Sequence, residues 1–220
     1  MNGNIFLEGK YLKLPKMTAI RIKLYRPISE KFLGIDFAMH GMCVFSTGGR
    51  AGYPMFYRNT EKKLAQEQRK LSRCQRGSRN YEKQKKRVAL CHEKIRNQRK
   101  DFQHKLSAGL AKNYDAVCVE DLDLKGMAGG LHFGKGVHDN GYGLFLSMLE
   151  YKLEERGKYL IKVNRYFASS KICSVCGKKK AGLSLSERIY YCECGSRMDR
   201  DVNAAVNLMN EGKRIFAECA

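Results

Sequence analysis

Cys173-Ser174-Val175-Cys176-Gly177, then Cys192-Glu193-Cys194-Gly195, then Asp199-Arg200-Asp201-Val202-Asn203-Ala204-Ala205: these stretches organise the 220-residue chain. Two short cysteine pairs a loop apart have the spacing of a metal knuckle. Four thiolates suit tetrahedral zinc with no ligand position left open, so a metal held by Cys173, Cys176, Cys192 and Cys194 is structural and not catalytic. The acidic, alanine-rich run that follows reads as the start of a helix ending near Glu211, with Asp201, Ala204, Ala205 and Leu208 on its inward side. If the knuckle serves to hold Asp201, matching carboxylates must lie elsewhere in the chain.

Two upstream strands supply them. Phe32-Leu-Gly-Ile-Asp36-Phe-Ala reads as a buried strand followed by a hairpin partner through Phe45, with one charge set in an apolar run. A carboxylate there is costly unless it is paired or bound to metal. Ala116-Val-Cys-Val-Glu120 is a second buried strand, and it too ends in a carboxylate. Acids from three distant segments are what a hard divalent cation requires, since Mg²⁺ takes oxygen ligands and keeps several waters. Paired ions can activate water on one side of a phosphodiester and stabilise the leaving oxygen on the other; in that arrangement Asp36 bridges them and Glu120 and Asp201 each hold one. Asp199, Asp121 and Asp123 rank below this set: Asp199 reads as either a helix cap or a solvent-facing acid, and the other two lie past the strand end.

The formal charge is +20 and the pI about 9.7, which points to a polyanionic partner, nucleic acid before membrane. Residues 61–112 carry 17 Lys and Arg against five Asp and Glu, +12 of the +20. Gly77-Ser78 divides this stretch into two helices, predicted to form an antiparallel hairpin whose second arm, from about Arg79 to Lys112, is about 50 Å long. Val88, Cys91, Ile95, Phe102, Leu106 and Leu110 form its apolar stripe. Its expected nucleic-acid contacts are Arg73, Arg76, Arg79, Lys83, Lys86, Arg87, Arg96 and Arg99, because one-sided charge is not what an inert solvated face shows.

No apolar run approaches a membrane span, and the first residues lack a signal peptide's order, so the expected location is cytoplasmic. Nine cysteines with four at metal spacing make a poor disulfide framework; Cys43, Cys74, Cys91, Cys118 and Cys219 read as small apolar residues. The glycine-rich stretches Lys125–Gly130 and Gly134–Gly143 read as a mobile loop without the pattern of a nucleotide site. Phe145, Met148, Leu149 and Leu153 mark a helix ended by Gly157, and Tyr159–Val163 a third strand. Ala19–Tyr25 is strand-like as well.

Gly34-Ile-Asp36, Val119-Glu120-Asp-Leu-Asp-Leu-Lys-Gly-Met127, Ser169-Ser-Lys-Ile-Cys173-Ser-Val-Cys176-Gly, Cys192-Glu-Cys194-Gly and Asp199-Arg-Asp201-Val-Asn203-Ala-Ala205-Val-Asn207 resemble the three RuvC motifs and zinc ribbon of the TnpB (OrfB) family, transposon-encoded RNA-guided nucleases related to type V CRISPR effectors. Asn97–Lys105 resembles the family's helical segment between the first two motifs. Ala38 and Met198 stand where glycine and histidine are common, and Cys192 and Cys194 are one residue closer than in many members.

The resemblance implies an α/β, RNase H-like (RuvC) mixed sheet with flanking helices and an inserted zinc ribbon. It divides the chain into a remnant of a wedge-type β segment (1–29), a nuclease core with the basic hairpin (30–169, hairpin 60–112), the ribbon (170–198) and the final RuvC motif with its helix (199–220). It implies cleavage of DNA directed by guide RNA from the transposon end, with Zn²⁺ structural, Mg²⁺ or Mn²⁺ catalytic at Asp36, Glu120 and Asp201, and nucleoid association in a prokaryotic cell. In the family an N-terminal lobe grips the guide. Its expected shortening here leaves an endonuclease that is helped by a second chain or a second copy or keeps only weak, unguided activity, or a nucleic-acid-binding remnant or regulator without turnover; a third reading, a zinc-ribbon protein of the translation or transcription machinery, gives Asp36 and Glu120 no role.

Overall fold

The computed structural model describes residues 31–38, 41–123, 126, 139–184 and 186–219, and as backbone alone residues 6–8, 11–13 and 20–21. Strands β1 (Phe6–Glu8), β2 (Tyr11–Lys13) and β3 (Ile20–Arg21) form an antiparallel sheet in that order, with Leu12 opposite both Leu7 and Ile20. The rest of the expected Ala19–Tyr25 strand, and residues 127–138 of the expected loop, lie outside the described residues.

The main sheet has four strands: β4 (Phe32–Ala38), β5 (Met42–Phe45), β6 (Ala116–Glu120) and β7 (Tyr159–Val163), in the order β5-β4-β6-β7. β5 is the antiparallel hairpin partner of β4, whereas β4, β6 and β7 run parallel. Period-two alternation sorts their side chains onto two faces. Leu33 and Ile35 of β4, with Val117 and Val119 of β6, join Leu110, Phe145, Leu149 and Leu153 in the larger core. These last four come from α2 (Arg79–Asn113) and α3 (Tyr142–Glu155). The opposite face presents Ala116, Cys118 and Ile161 to Ile215 and Phe216 of α4 (Arg200–Cys219). A parallel sheet covered on both faces gives the mixed α/β class expected from sequence.

Gly34 is what brings α4 down onto this second face. A Cβ at Gly34 would overlap the Ala205 carbonyl and lie 2.9 Å from the Met209 Cβ, so only glycine admits the helix at this depth. Gly34→Ala is therefore expected to cost about 3 kcal/mol, or roughly 6–12 °C in melting temperature. A variant melting within about 2 °C of the wild type would show that the helix does not sit this close.

α4 runs to Cys219, two turns beyond the Glu211 expected from sequence. Its apolar stripe continues: the Phe216 ring meets Phe32 at 6.0 Å and Tyr159 at 5.0 Å, both edge-to-face.

α1 (Phe56–Ser72) and α2 form the expected hairpin, broken at Gly77-Ser78; the Ser78 hydroxyl accepts the Tyr81 N–H at 3.1 Å as the cap of α2. Gln84 ties the arms together through the Glu67 carbonyl at 3.1 Å. The glycine-rich loop expected to continue through Gly143 stops earlier. Asp139 and Asn140 are buried, and α3 begins at Tyr142. The Asp139 carboxylate accepts the Tyr53 hydroxyl (3.1 Å) and the N–H groups of Tyr57 (3.1 Å) and Arg58 (3.4 Å), capping α1, which has no side-chain cap of its own. Gln103 donates to the carbonyls of Asn140 (2.7 Å) and Gly141 (3.0 Å), and the Tyr142 hydroxyl donates to Ala38 at the end of β4 (2.7 Å). Composition marks this stretch as loop; hydrogen bonds to distant segments decide otherwise.

Candidate active site

The register of the sheet and the seat of α4 together explain how three acids meet. Ile35 of β4 pairs with Val119 of β6 in parallel, so the next residues, Asp36 and Glu120, stand level on neighbouring strands. Asp36 is two residues past Gly34 and shares its face, the face α4 covers. Ala205 sits over Gly34, and Asp201 lies four residues, about 6 Å, back along the helix. Asp36 lies about 6.6 Å onward along β4. The helix passes toward the N-terminal ends of the strands, where Phe216 meets Phe32 and Tyr159, so its first turn overhangs Asp36.

The electrostatics report the same convergence. The Asp36 carboxyl is pushed up to about 7, first by burial and then by the charges of Asp201 and Glu120; Asp199 adds to the shift and Arg200 opposes it. Glu120 is held above the usual carboxylate range by burial and then by Asp121. All three acids are half-buried, so water can complete the coordination of an ion. Hard oxygen donors converging without enough cationic charge fit a divalent metal such as Mg²⁺ or Mn²⁺.

The rival acids are otherwise engaged. Asp199 caps α4, its carboxylate accepting the N–H groups of Asp201 (2.9 Å) and Val202 (3.2 Å), and it pairs with Arg50 at 2.9 Å. Asp121 pairs with Arg165 at 2.8 Å, and Asp123 accepts the Gly126 N–H at 3.0 Å.

The four cysteines predicted to bind metal come together, with all their sulfurs within 4.8 Å of one another. Cys173 and Cys194 are 3.8 Å apart and Cys176 and Cys192 3.5 Å, close to the spacing of about 3.8 Å that a tetrahedral ion with 2.3 Å bonds imposes. Each pair turns on a glycine with positive φ: Gly177 donates to the Cys173 carbonyl and Gly195 to the Cys192 carbonyl. Strands β8 (Ile189–Tyr191) and β9 (Arg197–Asp199), unanticipated from sequence, complete the ribbon, and β9 runs straight into α4.

Two residues quoted in the motif but given no role join ribbon to helix. Asn203 accepts the Ser174 N–H at 3.0 Å and donates to the Ile172 carbonyl at 2.7 Å; Asn207, one turn on, donates to the carbonyls of Ser169 (2.7 Å) and Ile172 (2.6 Å). Both are buried. Their signal in the sequence was polar side chains at i and i+4 on the face that carries Ala204 and Leu208.

Of the expected nucleic-acid contacts, Arg73, Arg76, Arg79, Lys83, Lys86, Arg87 and Arg96 are exposed along the hairpin. Arg99 turns inward, 4.0 Å from the buried Asp139 carboxylate. Among the described residues, no helix is long and apolar enough to cross a membrane.

Residues 17–130 match the OrfB_IS605 family, described as "Probable transposase", and residues 142–208 match the Cas12f1-like TNB domain. A protein of Streptomyces pristinaespiralis named "Putative RNA-guided DNA endonuclease" is 36% identical over 186 residues, covering 84% of this chain and 46% of that protein. "Putative RNA-guided DNA endonuclease InsQ" of Escherichia coli strain K12 is 28% identical over 207 residues, covering 86% and 51%. The chain spans about half the length of the curated relatives it matches. Among solved structures, the cryo-EM structure of the Cas12f1-sgRNA-target DNA complex superposes with a TM-score of 0.58 at 21% identity, over 88% of this chain and 52% of that one, and so shares the fold. With more than half of its residues matched by one family model, the chain belongs to the OrfB_IS605 (TnpB) family.

Proposed function

We propose that this chain is a metal-dependent DNA endonuclease of the RuvC type, directed by guide RNA from a transposon end. The observation that carries the reading is that Asp36, Glu120 and Asp201 come from three separate segments to one place, where burial first and then the charges of Asp201 and Glu120 push the Asp36 carboxyl up to about 7. Mg²⁺ or Mn²⁺ held there supplies a water nucleophile and stabilisation of the leaving oxygen. Asp36, between the other two acids, shares charge with both; Glu120 and Asp201 fix the two sides of the site. Arg200, 3.7 Å from Asp201, limits the repulsion among them. The soft thiolates of the ribbon select Zn²⁺, which leaves the hard oxygen site to the other metal.

The exposed basic residues of the α1–α2 hairpin track phosphates of the guide or target, and a second chain or a second copy contributes further guide contacts. Base pairing with the guide reads the target, as in RNA-guided effectors generally. The action is on DNA in a prokaryotic cytoplasm, at the nucleoid.

The test is a cleavage assay on single-stranded and locally unwound DNA, with Mg²⁺ or Mn²⁺, with and without co-expressed transposon-end RNA. Cutting is expected to require the metal, to rise with the RNA, and to fall on the order of 1,000-fold in Asp36→Ala, because the metal supplies several kcal/mol of transition-state stabilisation. Undiminished cutting in that variant would remove the assigned site. Tight binding without any cutting would favour a non-enzymatic regulator.

A further inference from the structure

We infer that Tyr166 is a stacking platform for an unpaired base of the substrate strand, beside the carboxylate site; the inference rests on the nuclease reading above. Among the described residues, no large apolar side chain is more exposed: 88% of Tyr166 is open to water, against 67% for Val175 and 61% for Leu90. A solitary exposed aromatic is ordinarily unremarkable. This one is distinguished by how it is held and by what it stands next to.

The turn that carries Tyr166 is fixed from both sides. The Asn164 side-chain oxygen accepts the Tyr166 N–H at 2.9 Å, and the Asn164 carbonyl accepts the Phe167 N–H at 2.9 Å. Arg165 is ion-paired to Asp121 at 2.8 Å, and Phe167 is half-buried. The backbone is therefore pinned while the ring between these anchors is left to solvent. An aromatic on a rigid turn loses little conformational freedom when a partner arrives.

The place is the catalytic edge of the sheet. Val163, the last residue of β7, is the register partner of Glu120, and its carbonyl accepts the Asp121 N–H at 2.9 Å. Tyr166 follows three residues later, and its neighbour Arg165 holds the residue next to Glu120. A strand that reaches the carboxylate site from this edge of the sheet passes this turn.

The chemistry favours a nucleobase. The chain carries +20, so the molecule brought to this edge is a polyanion, and every base offers a π-face for which an aromatic side chain is the matching surface. In a duplex those faces are already stacked, so the platform serves a strand that is unpaired where it is cut. Lys171, exposed five residues further along the same connection, adds positive charge to it.

The experiment separates stacking from turnover. Single-stranded oligonucleotides carrying 2-aminopurine at successive positions are titrated onto the Asp36→Asn chain, which cuts nothing and repels phosphate less. Quenching is expected at one or two positions, to vanish in Tyr166→Ala and to persist in Tyr166→Phe and Tyr166→Trp. Affinity for the single strand is expected to fall about 5- to 150-fold in Tyr166→Ala, the equivalent of 1–3 kcal/mol per stacked base, with duplex affinity unchanged. In the chain with Asp36 intact, Tyr166→Ala should raise KM more than it lowers kcat, and Phe should restore it. Unchanged quenching and affinity in Tyr166→Ala would overturn the proposal, as would an equal loss for duplex and single strand, which marks a general docking contact. Failure of the wild-type chain to cut DNA would strike the nuclease reading but leave the quenching result standing. Because the ring is exposed, all three substitutions should melt with the parent chain.

Discussion

Asp36→Asn is expected to raise the melting temperature of the metal-free protein at pH 8 while abolishing cleavage. In the folded chain the Asp36 carboxyl titrates at about 7, against 3.8 for a free aspartate, because burial and the charges of Asp201 and Glu120 disfavour its ionised form. The sign follows from proton counting. Between pH 4 and 7 the folded state keeps a proton that the unfolded state has lost, so stability falls as pH rises through this window, and the full penalty is present above it. That displacement corresponds to at most about 4 kcal/mol, and solvent screening at a half-buried site reduces it to roughly 2–4 kcal/mol. For a chain of this size that is roughly 4–16 °C. Asparagine keeps the shape and removes the charge.

The difference between the two melting temperatures, measured in chelator, should therefore be near zero at pH 4, open between pH 4 and 7, and stay constant above. Mg²⁺ should reverse the order, since an ion at 1,000 times its dissociation constant adds about 4.1 kcal/mol to the chain that binds it and less to the variant. A variant that melts below the wild type in chelator at pH 8 would mean that the acids are not electrostatically strained, and the metal-site assignment would lose its main support.

That strain also explains why the candidate acids stand out in the sequence alone. Asp36 and Glu120 stood out because each is a charge in or at the end of an otherwise apolar strand, a placement that requires compensation. The break at Gly77-Ser78 and the strands β4, β6 and β7 were legible for local reasons: a capping serine, a glycine, and runs of apolar and β-branched residues. What escaped was set by partners far along the chain. Asp139 looked like loop until the open end of α1, more than 80 residues earlier, was brought to it. The last two turns of α4 depend on Phe32 and Tyr159 for their burial. The ribbon strands β8 and β9 are three residues each, too short to show a period. Asn203 and Asn207 were visible as motif letters, but their work is with the backbone of the ribbon, which no local pattern announces.

Those two asparagines give the second large effect. Removing the ribbon metal, or replacing Cys173 by serine, is expected to unfold residues 170–198 and to suppress cleavage even at saturating Mg²⁺. The ribbon has little core of its own: Cys173 and Tyr190 are its two fully buried side chains among the described residues, and its strands are short. Structural zinc contributes about 10 kcal/mol or more to folding such a unit, far beyond what two short strands supply. The loss travels to the acids by two routes: β9 ends at Asp199, the cap of the helix that begins with Arg200 and Asp201, and Asn203 and Asn207 grip Ser169, Ile172 and Ser174 from that same helix. Asn203→Ala separates the routes. It leaves the four cysteines intact, so the protein should still bind one zinc, yet it strands the half-buried Ser174 N–H and weakens the hold on the Ile172 carbonyl, costing about 1–3 kcal/mol. Cleavage should drop about 10- to 100-fold, the usual effect of removing a support behind a metal ligand. Zinc stoichiometry by atomic spectroscopy, tryptic cutting at Lys178–Lys180 and Mg²⁺-saturated rates measure the three consequences independently. If Cys173→Ser resisted trypsin and cut as fast as the wild type, the ribbon would have no part in placing Asp201; if Asn203→Ala alone were silent, the coupling would pass through β9 and Asp199.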